Sequence, residues 1–187
     1  MIVSISGRPG SGKSAVAIRV ARRLGLAHVS AGDFMRQMAE ERGMTILELS
    51  KIAEAGDSID REIDARTVRL GEESDDFVID ARLGWHFLPH SFKVFLEVDP
   101  DVAAQRIFAA RRAAEQENTG LDETRRAIDS RTESEMTRYR DYYGLDYADH
   151  THYNLVVDTS DKTVDEVVDV IVGRVEAERS GNELEMG

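Results

Sequence analysis

The chain contains no cysteine. That excludes disulfides, thiolate metal sites and a cysteine nucleophile. No apolar run approaches the roughly 20 residues that a membrane helix needs, so no membrane partner is expected. No basic stretch precedes an apolar one at the N-terminus, where Ile2-Val3-Ser4-Ile5-Ser6 already reads as a core strand, so no secretory signal is expected. Lysine is scarce: four of the 24 basic residues, the other twenty being arginine. Against 36 acidic residues this leaves a net charge of −12. Such a chain repels nucleic-acid backbones, so nucleic acid is not an expected partner. It would also repel nucleotides unless positive charge is gathered locally. There is no N-K-x-D guanine motif, no basic stripe, no internal repeat and no linker. A length of 187 residues with 41% apolar content suits one compact domain with a full core. A cytoplasmic monomer is the expectation.

What is present is concentrated near the start. Gly7-Arg8-Pro9-Gly10-Ser11-Gly12-Lys13-Ser14 matches the phosphate-binding pattern G-x-x-x-x-G-K-[ST]. An apolar strand feeds it and a helical pattern leaves it, which is the context the motif needs. Glycines let the backbone wrap with its N–H groups inward, at the positive end of the next helix. Lys13 would reach the β- and γ-phosphates of a nucleotide, and the Ser14 hydroxyl would ligate Mg²⁺.

Periodicity places the remaining elements. Val16, Ala17, Val20, Ala21 and Leu24 fall on one helical face, and Gly25 stops it. Leu26 to Val29 reads as a short buried strand, and Ser30 to Asp33 as a helix cap. Thr45 with Glu48, and Thr163 with Glu166, have the spacing of capping boxes. Further strands are expected at 77–80, 92–98 and 154–157. Five apolar strands alternating with helices predict an α/β fold: a five-stranded parallel sheet with helices on both faces. Ligands bind such sheets off the carboxyl ends of the strands. Two helical excursions, about 34–73 and 111–143, look like inserts over that edge, within a single domain spanning 1–178. Residues 179–187 look frayed or disordered.

Several charged residues would gather at the same edge. Asp80 ends a strand, as a metal-holding acid should, although Asp also caps turns. Asp33 is a second acid there, and equally an ordinary cap. Arg36 follows Asp33 by one turn, and Arg82 follows Asp80 by two residues. A nucleotide-hydrolysing switch has no need of this pair, whereas a kinase with an anionic acceptor does. Arg131 and Arg138 are seven apart and share a helical face, with Ser134 and Glu135 between them. They either close over a transferring phosphoryl group or pair with Glu133, Glu135 and Asp141 on an exposed helix. Arg125 and Arg126 read as surface residues. Asp60 and Asp64 lie one turn apart and repel unless a cation or donor sits nearby. They would accept from such a donor, or stand solvated beside Arg61 and Arg66. Trp85 packs the core or stacks on a base. His150 and His152 form an exposed loop or a metal pair.

The phosphate loop, Ser30-Ala31-Gly32-Asp33-Phe34-Met35-Arg36, the step Asp80-Ala81-Arg82 and the arginine-bearing lid together resemble the nucleoside monophosphate kinases. The chain looks most similar to the short, archaeal-type cytidylate kinases. The His-Val-Ser-Ala-Gly stretch before Asp33, the helix Ile59 to Asp64 and the run Tyr139 to Asp146 add to the likeness, which covers roughly residues 1–175. The resemblance implies a P-loop kinase fold with acceptor and lid inserts. It implies ATP with Mg²⁺ as donor, bound by Gly7, Arg8, Pro9, Gly10, Ser11, Gly12, Lys13, Ser14 and Ala15, with Arg106 and Arg111 around the triphosphate. Either Arg111 or Arg112 would be the functional one. It implies CMP or dCMP as acceptor, held by Asp33, Arg36, Asp60, Asp64 and Arg82. Lys13, Arg82, Arg131 and Arg138 would then act on the transferring group, and Ser14 and Asp80 on the metal. Two departures stand out: Gly-Arg-Pro-Gly replaces the family's usual Gly-Pro-Pro-Gly, leaving Arg8 without a role, and Asp80-Ala81-Arg82 replaces Glu-Gly-Arg. A related kinase for AMP, UMP or shikimate, and an ATP-dependent switch or assembly factor, remain open alternatives.

Overall fold

The computed structural model describes residues 1–113 and 120–185. Five strands form one parallel sheet in the order β2-β3-β1-β4-β5. They are β1 (Ile2–Gly7), β2 (Ala27–Ser30), β3 (Phe77–Asp80), β4 (Phe92–Glu97) and β5 (Leu155–Asp158). β1 lies at the centre and all six of its residues are buried. A parallel strand covered on both faces needs apolar or small residues throughout, and Ile-Val-Ser-Ile-Ser-Gly meets that.

One face packs on α1 (Lys13–Leu24) and α8 (Val164–Glu185) through Val3, Ile5, Val20, Leu96, Ile171 and Val175. The other face carries Ile2, Phe77 and Ile79 against Phe34 and Leu88, and Phe95 against Tyr147. This is the three-layer arrangement expected from the alternation of strands and helices. The helical face Val16, Ala17, Val20 and Ala21 is buried, and Gly25 ends α1 with a left-handed φ of 68°. Both expected capping boxes form, Thr45 with Glu48 and Thr163 with Glu166.

The first insert comprises α2 (Ala31–Glu41), α3 (Ile46–Ala55) and α4 (Ser58–Glu73), closed around Met38, Leu49 and Ile59. A single turn, α5 (Gly84–Phe87), follows β3. Then come α6 (Pro100–Ala113) and the long α7 (Leu121–Tyr143), and a 3₁₀ turn at His150–His152 precedes β5. Among the described residues no helix is long and apolar enough to cross a membrane.

Two expectations need correction. β2 is not a buried strand; it is an edge strand, and its residues are exposed or half-buried. Its neighbour is fixed by topology, which local composition does not encode. Nor does order end near 178: α8 runs to Glu185, with the Ser180 hydroxyl donating to the Glu176 carbonyl at 3.0 Å. Its polar end continues a helix already nucleated by a buried stripe, and propagation costs little once the nucleus exists.

Candidate active site

The loop between β1 and α1 can be built only with glycine at two positions. Gly7 has φ +154°, and a Cβ there would meet the Leu96 carbonyl oxygen at 2.6 Å. Gly10 has φ +80°, and its Cβ would meet the Ala103 Cβ at 2.7 Å. The loop is therefore pressed against β4 and α6. It is pinned there by the Arg8 N–H donating to the Leu96 carbonyl at 3.1 Å. Lys13 opens α1, so its ammonium stands at the positive end of a helix, where anions are favoured.

The Lys13 ammonium is in contact with the Asp80 carboxylate, which is 3% exposed. Burial pulls Lys13 well below the usual lysine range. The neighbouring charges of Arg82 and Arg131 pull the same way, and Glu135 opposes them.

Arg82 leaves the end of β3 and turns inward. Its Nε donates to Glu135 Oε2 at 2.6 Å, and one terminal nitrogen donates to the Gly7 carbonyl at 2.6 Å. Arg131 of α7 donates through Nε to Glu135 Oε1 at 2.9 Å. Glu135 is 7% exposed. Burial pushes its carboxyl up, but the two arginines outweigh that and hold it below the usual carboxylate range.

Two cavities meet at this cluster. One, of about 590 Å³, is lined by His28, Ser30, Asp33, Arg36 and Asp80. The other, of about 420 Å³, lies along Arg8, Pro9, Gly10, Gly12, Ala15 and Arg106. Lys13, Ser14, Arg82 and Arg131 line both.

The first insert and α7 touch each other across a third, smaller cavity of about 90 Å³. Arg138 of α7 donates to Asp60 of α4 at 2.8 Å, and the Tyr143 hydroxyl donates to Asp64. Burial pushes Asp64 up to about 6; Tyr143 opposes this, while Asp60 adds to it. Burial raises Asp60 as well, against the pull of Arg138. The expected partners of these two acids are elsewhere. Arg61 bonds Asp57, and Arg66 bonds Glu41 and Glu62.

The match to the cytidylate kinase-like family model spans residues 2–161. Cytidylate kinases of Natronomonas pharaonis and Methanothermobacter thermautotrophicus are 39% and 41% identical to it. The first alignment covers 95% of this chain and 90% of that protein; the second covers 86% and 96%.

The chain belongs to the cytidylate kinase-like family.

Solved structures agree on the fold. An uncharacterised protein of Eubacterium ventriosum superposes with a TM-score of 0.71 at 17% identity, over 94% of this chain and 98% of that one. A shikimate kinase of Bacteroides thetaiotaomicron superposes at 0.62 and 18%, with the same coverage.

Within this cytidylate kinase-like chain the anticipated residues do not all stand alike. Lys13, Ser14, Asp80, Arg82 and Arg131 converge, and Asp33 and Arg36 line the same cavity. Asp33 is also a helix cap: it accepts from the Ser30 N–H at 2.8 Å and binds Arg36. Asp60, Asp64 and Arg138 sit one helix further out. Arg106 lines the cavity along the phosphate loop but donates to the Thr159 carbonyl at 2.7 Å. Arg111 and Arg112 have side chains outside the described residues. Arg8 gains a partner, Glu97, whose other oxygen meets His150 Nε2 at 3.2 Å. His152 stacks on buried Trp85 at 4.3 Å, so Trp85 packs the core and the two histidines do not converge.

Glu135 and Tyr143 were not anticipated as site residues. The seven-residue spacing of Arg131 and Arg138 implicated the α7 face, and Glu135 lies on it. What hid Glu135 is that an acid on an arginine-rich helix ordinarily marks exposed pairing.

Proposed function

We propose that this chain transfers the γ-phosphoryl group of ATP to CMP or dCMP, giving the diphosphate. One observation carries the reading: two cavities share Lys13, Ser14, Arg82 and Arg131 as a common wall. ATP lies along the phosphate loop from Gly7 to Ala15, with Arg106 beside it. The acceptor lies in the larger cavity with its phosphate toward Arg36 and Arg82. The transferring group crosses the shared wall.

The acceptor phosphate is already anionic at neutral pH, its second pKa being about 6. It needs no general base, so positioning and charge neutralisation supply the catalysis. Lys13 follows the moving phosphoryl group. Arg131 and Arg138 close from α7, and closure excludes water. The Ser14 hydroxyl and Asp80 carboxylate are hard oxygen donors facing one cavity, which fits Mg²⁺ held partly by substrate phosphates. Bound there, Mg²⁺ would neutralise charge on the β- and γ-oxygens. Asp60 and Asp64 accept from the exocyclic amine of cytosine. The reading includes a cytoplasmic monomer with small nucleotides as its partners.

The test is a panel of acceptors with ATP·Mg²⁺. CMP and dCMP are expected to turn over fastest. Equal or faster turnover of AMP, UMP or shikimate would overturn the acceptor assignment.

A further inference from the structure

We propose that Glu135 is a positioning residue that aims Arg82 and Arg131 at the transferring phosphoryl group. The proposal rests on the reading of the cleft as a phosphoryl-transfer site.

The two arginines come from different parts of the fold. Arg82 is fixed to the sheet, at the end of β3, while Arg131 rides on α7. Together with Lys13 they put three cationic side chains around one cleft. Cations so placed repel each other, and nothing in two separate elements keeps both heads inward. Glu135 resolves this with one carboxylate. Oε2 takes the Nε of Arg82 at 2.6 Å and Oε1 takes the Nε of Arg131 at 2.9 Å.

The choice of nitrogen matters. Both bonds use Nε, the edge nearest the stem of the guanidinium. Arg82 spends one terminal nitrogen on the Gly7 carbonyl, which fixes its plane against the start of the phosphate loop. The guanidinium fork is rigid, so fixing the Nε edge fixes where the terminal N–H groups point. Among the described residues no acceptor takes the remaining N–H groups of either arginine, which leaves them for an oxyanion. Glu135 itself is 7% exposed and would be costly to bury without these partners. Its burial and the orientation of the arginines are one arrangement. It also ties the lid helix to the end of β1, so that the lid-borne arginine and the sheet-borne arginine keep a fixed separation.

Glu135→Gln, Glu135→Asp, Arg131→Ala and the double variant Glu135→Gln/Arg131→Ala separate the roles by kinetics. ATP affinity by calorimetry and Tm are measured alongside. Misaimed arginines cost transition-state contacts rather than ground-state binding, so Glu135→Gln should lower kcat about a hundredfold. KM for the acceptor and ATP affinity should stay within about threefold of wild type. Glu135→Asp should recover part of kcat. Glu135→Gln should cost clearly less in the Arg131→Ala background than alone, because part of its effect runs through Arg131.

Three outcomes overturn the proposal. A lower KM with kcat kept would make Glu135 a competitor of the phosphate. A fall in Tm with both kinetic constants kept would make it structural. Full additivity with Arg131→Ala would mean it does not act through that arginine. Should Glu135→Gln fail to fold, the same split between kcat and ATP affinity is read from Glu135→Asp. A wild type inactive on CMP would instead sink the acceptor assignment, and the variants are then compared on whichever acceptor of the panel turns over.

Discussion

At the residue scale, Arg82 is the side chain on which most depends. It bonds the Gly7 carbonyl, where β1 runs into the phosphate loop, and through Glu135 it reaches α7. Arg82→Ala should depress kcat with CMP by about a hundredfold or more, as removal of a charge-stabilising donor does. ATP affinity should change far less. The same substitution strips a buried carboxylate of its better partner, so stability should fall as well, by about 3 kcal/mol. For a chain of this length that is a loss of roughly 6–12 °C in Tm. Scanning calorimetry and steady-state kinetics on one preparation check both. Parallel losses of turnover and ATP affinity would move Arg82 to the donor side. Lys13 beside it shows why a phosphate site can be read from sequence. Its place follows from the glycines and the strand-to-helix turn, which are all local. Its contact with Asp80 joins residues 67 apart and follows from the sheet order.

At the element scale, α4 and α7 meet through two acids and their donors, Asp60 with Arg138 and Asp64 with Tyr143. Asp64 carries a pKa raised by burial to about 6, above its ordinary 3.8. The folded chain therefore holds this proton more tightly than the unfolded one. Stability from Asp64 is fully present below about pH 3.8, and it is lost as pH rises through about 6. At pH 8 the ionised, half-buried Asp64 is a net cost of about 1 kcal/mol after solvent screening. Asp64→Asn removes that cost and keeps an oxygen to accept from Tyr143. Its Tm should exceed wild type by about 2–4 °C at pH 8, and the gain should shrink by pH 5. Its kcat/KM for CMP should fall if, as proposed, this carboxylate accepts the cytosine amine. A variant less stable than wild type at pH 8 would refute the burial cost. The helices themselves were legible: Val16 to Ala21, Thr45 with Glu48 and Thr163 with Glu166 encode their own faces and caps within a few residues. What α4 faces was not. Arg61 and Arg66 are adjacent in sequence and looked like the partners of Asp60 and Asp64, yet they point to Asp57, Glu41 and Glu62. The true partners come from a helix more than 70 residues on. The same holds for β2, whose exposure is set by its place at the sheet edge.

At the scale of the whole molecule, the charge is arranged in two opposing ways. The surface is strongly acidic, with a net charge of −12, while the cleft concentrates Lys13, Arg82 and Arg131. Salt screens both, but with opposite consequences. Self-repulsion among surface carboxylates destabilises the compact state, so screening it should stabilise the fold. Attraction between the cleft and a polyanionic nucleotide favours binding, so screening it should weaken the complex. Raising NaCl from about 0.05 to 1 M shortens the Debye length from roughly 14 to 3 Å. Across that range Tm should rise while KM for ATP also rises. The cleft pairs are buried and screened less than surface charges, so the change in Tm should be the steeper of the two at low salt. Replacing NaCl by an equal concentration of sucrose separates screening from excluded-solute stabilisation, because sucrose raises Tm without touching KM through charge. A Tm that falls with NaCl would mean that surface ion pairs such as Arg19–Asp165 and Arg23–Asp169 outweigh the repulsion. Exposed pairs of that kind contribute only about 0–1 kcal/mol each, against an excess of twelve like charges, so the rise is the expected sign.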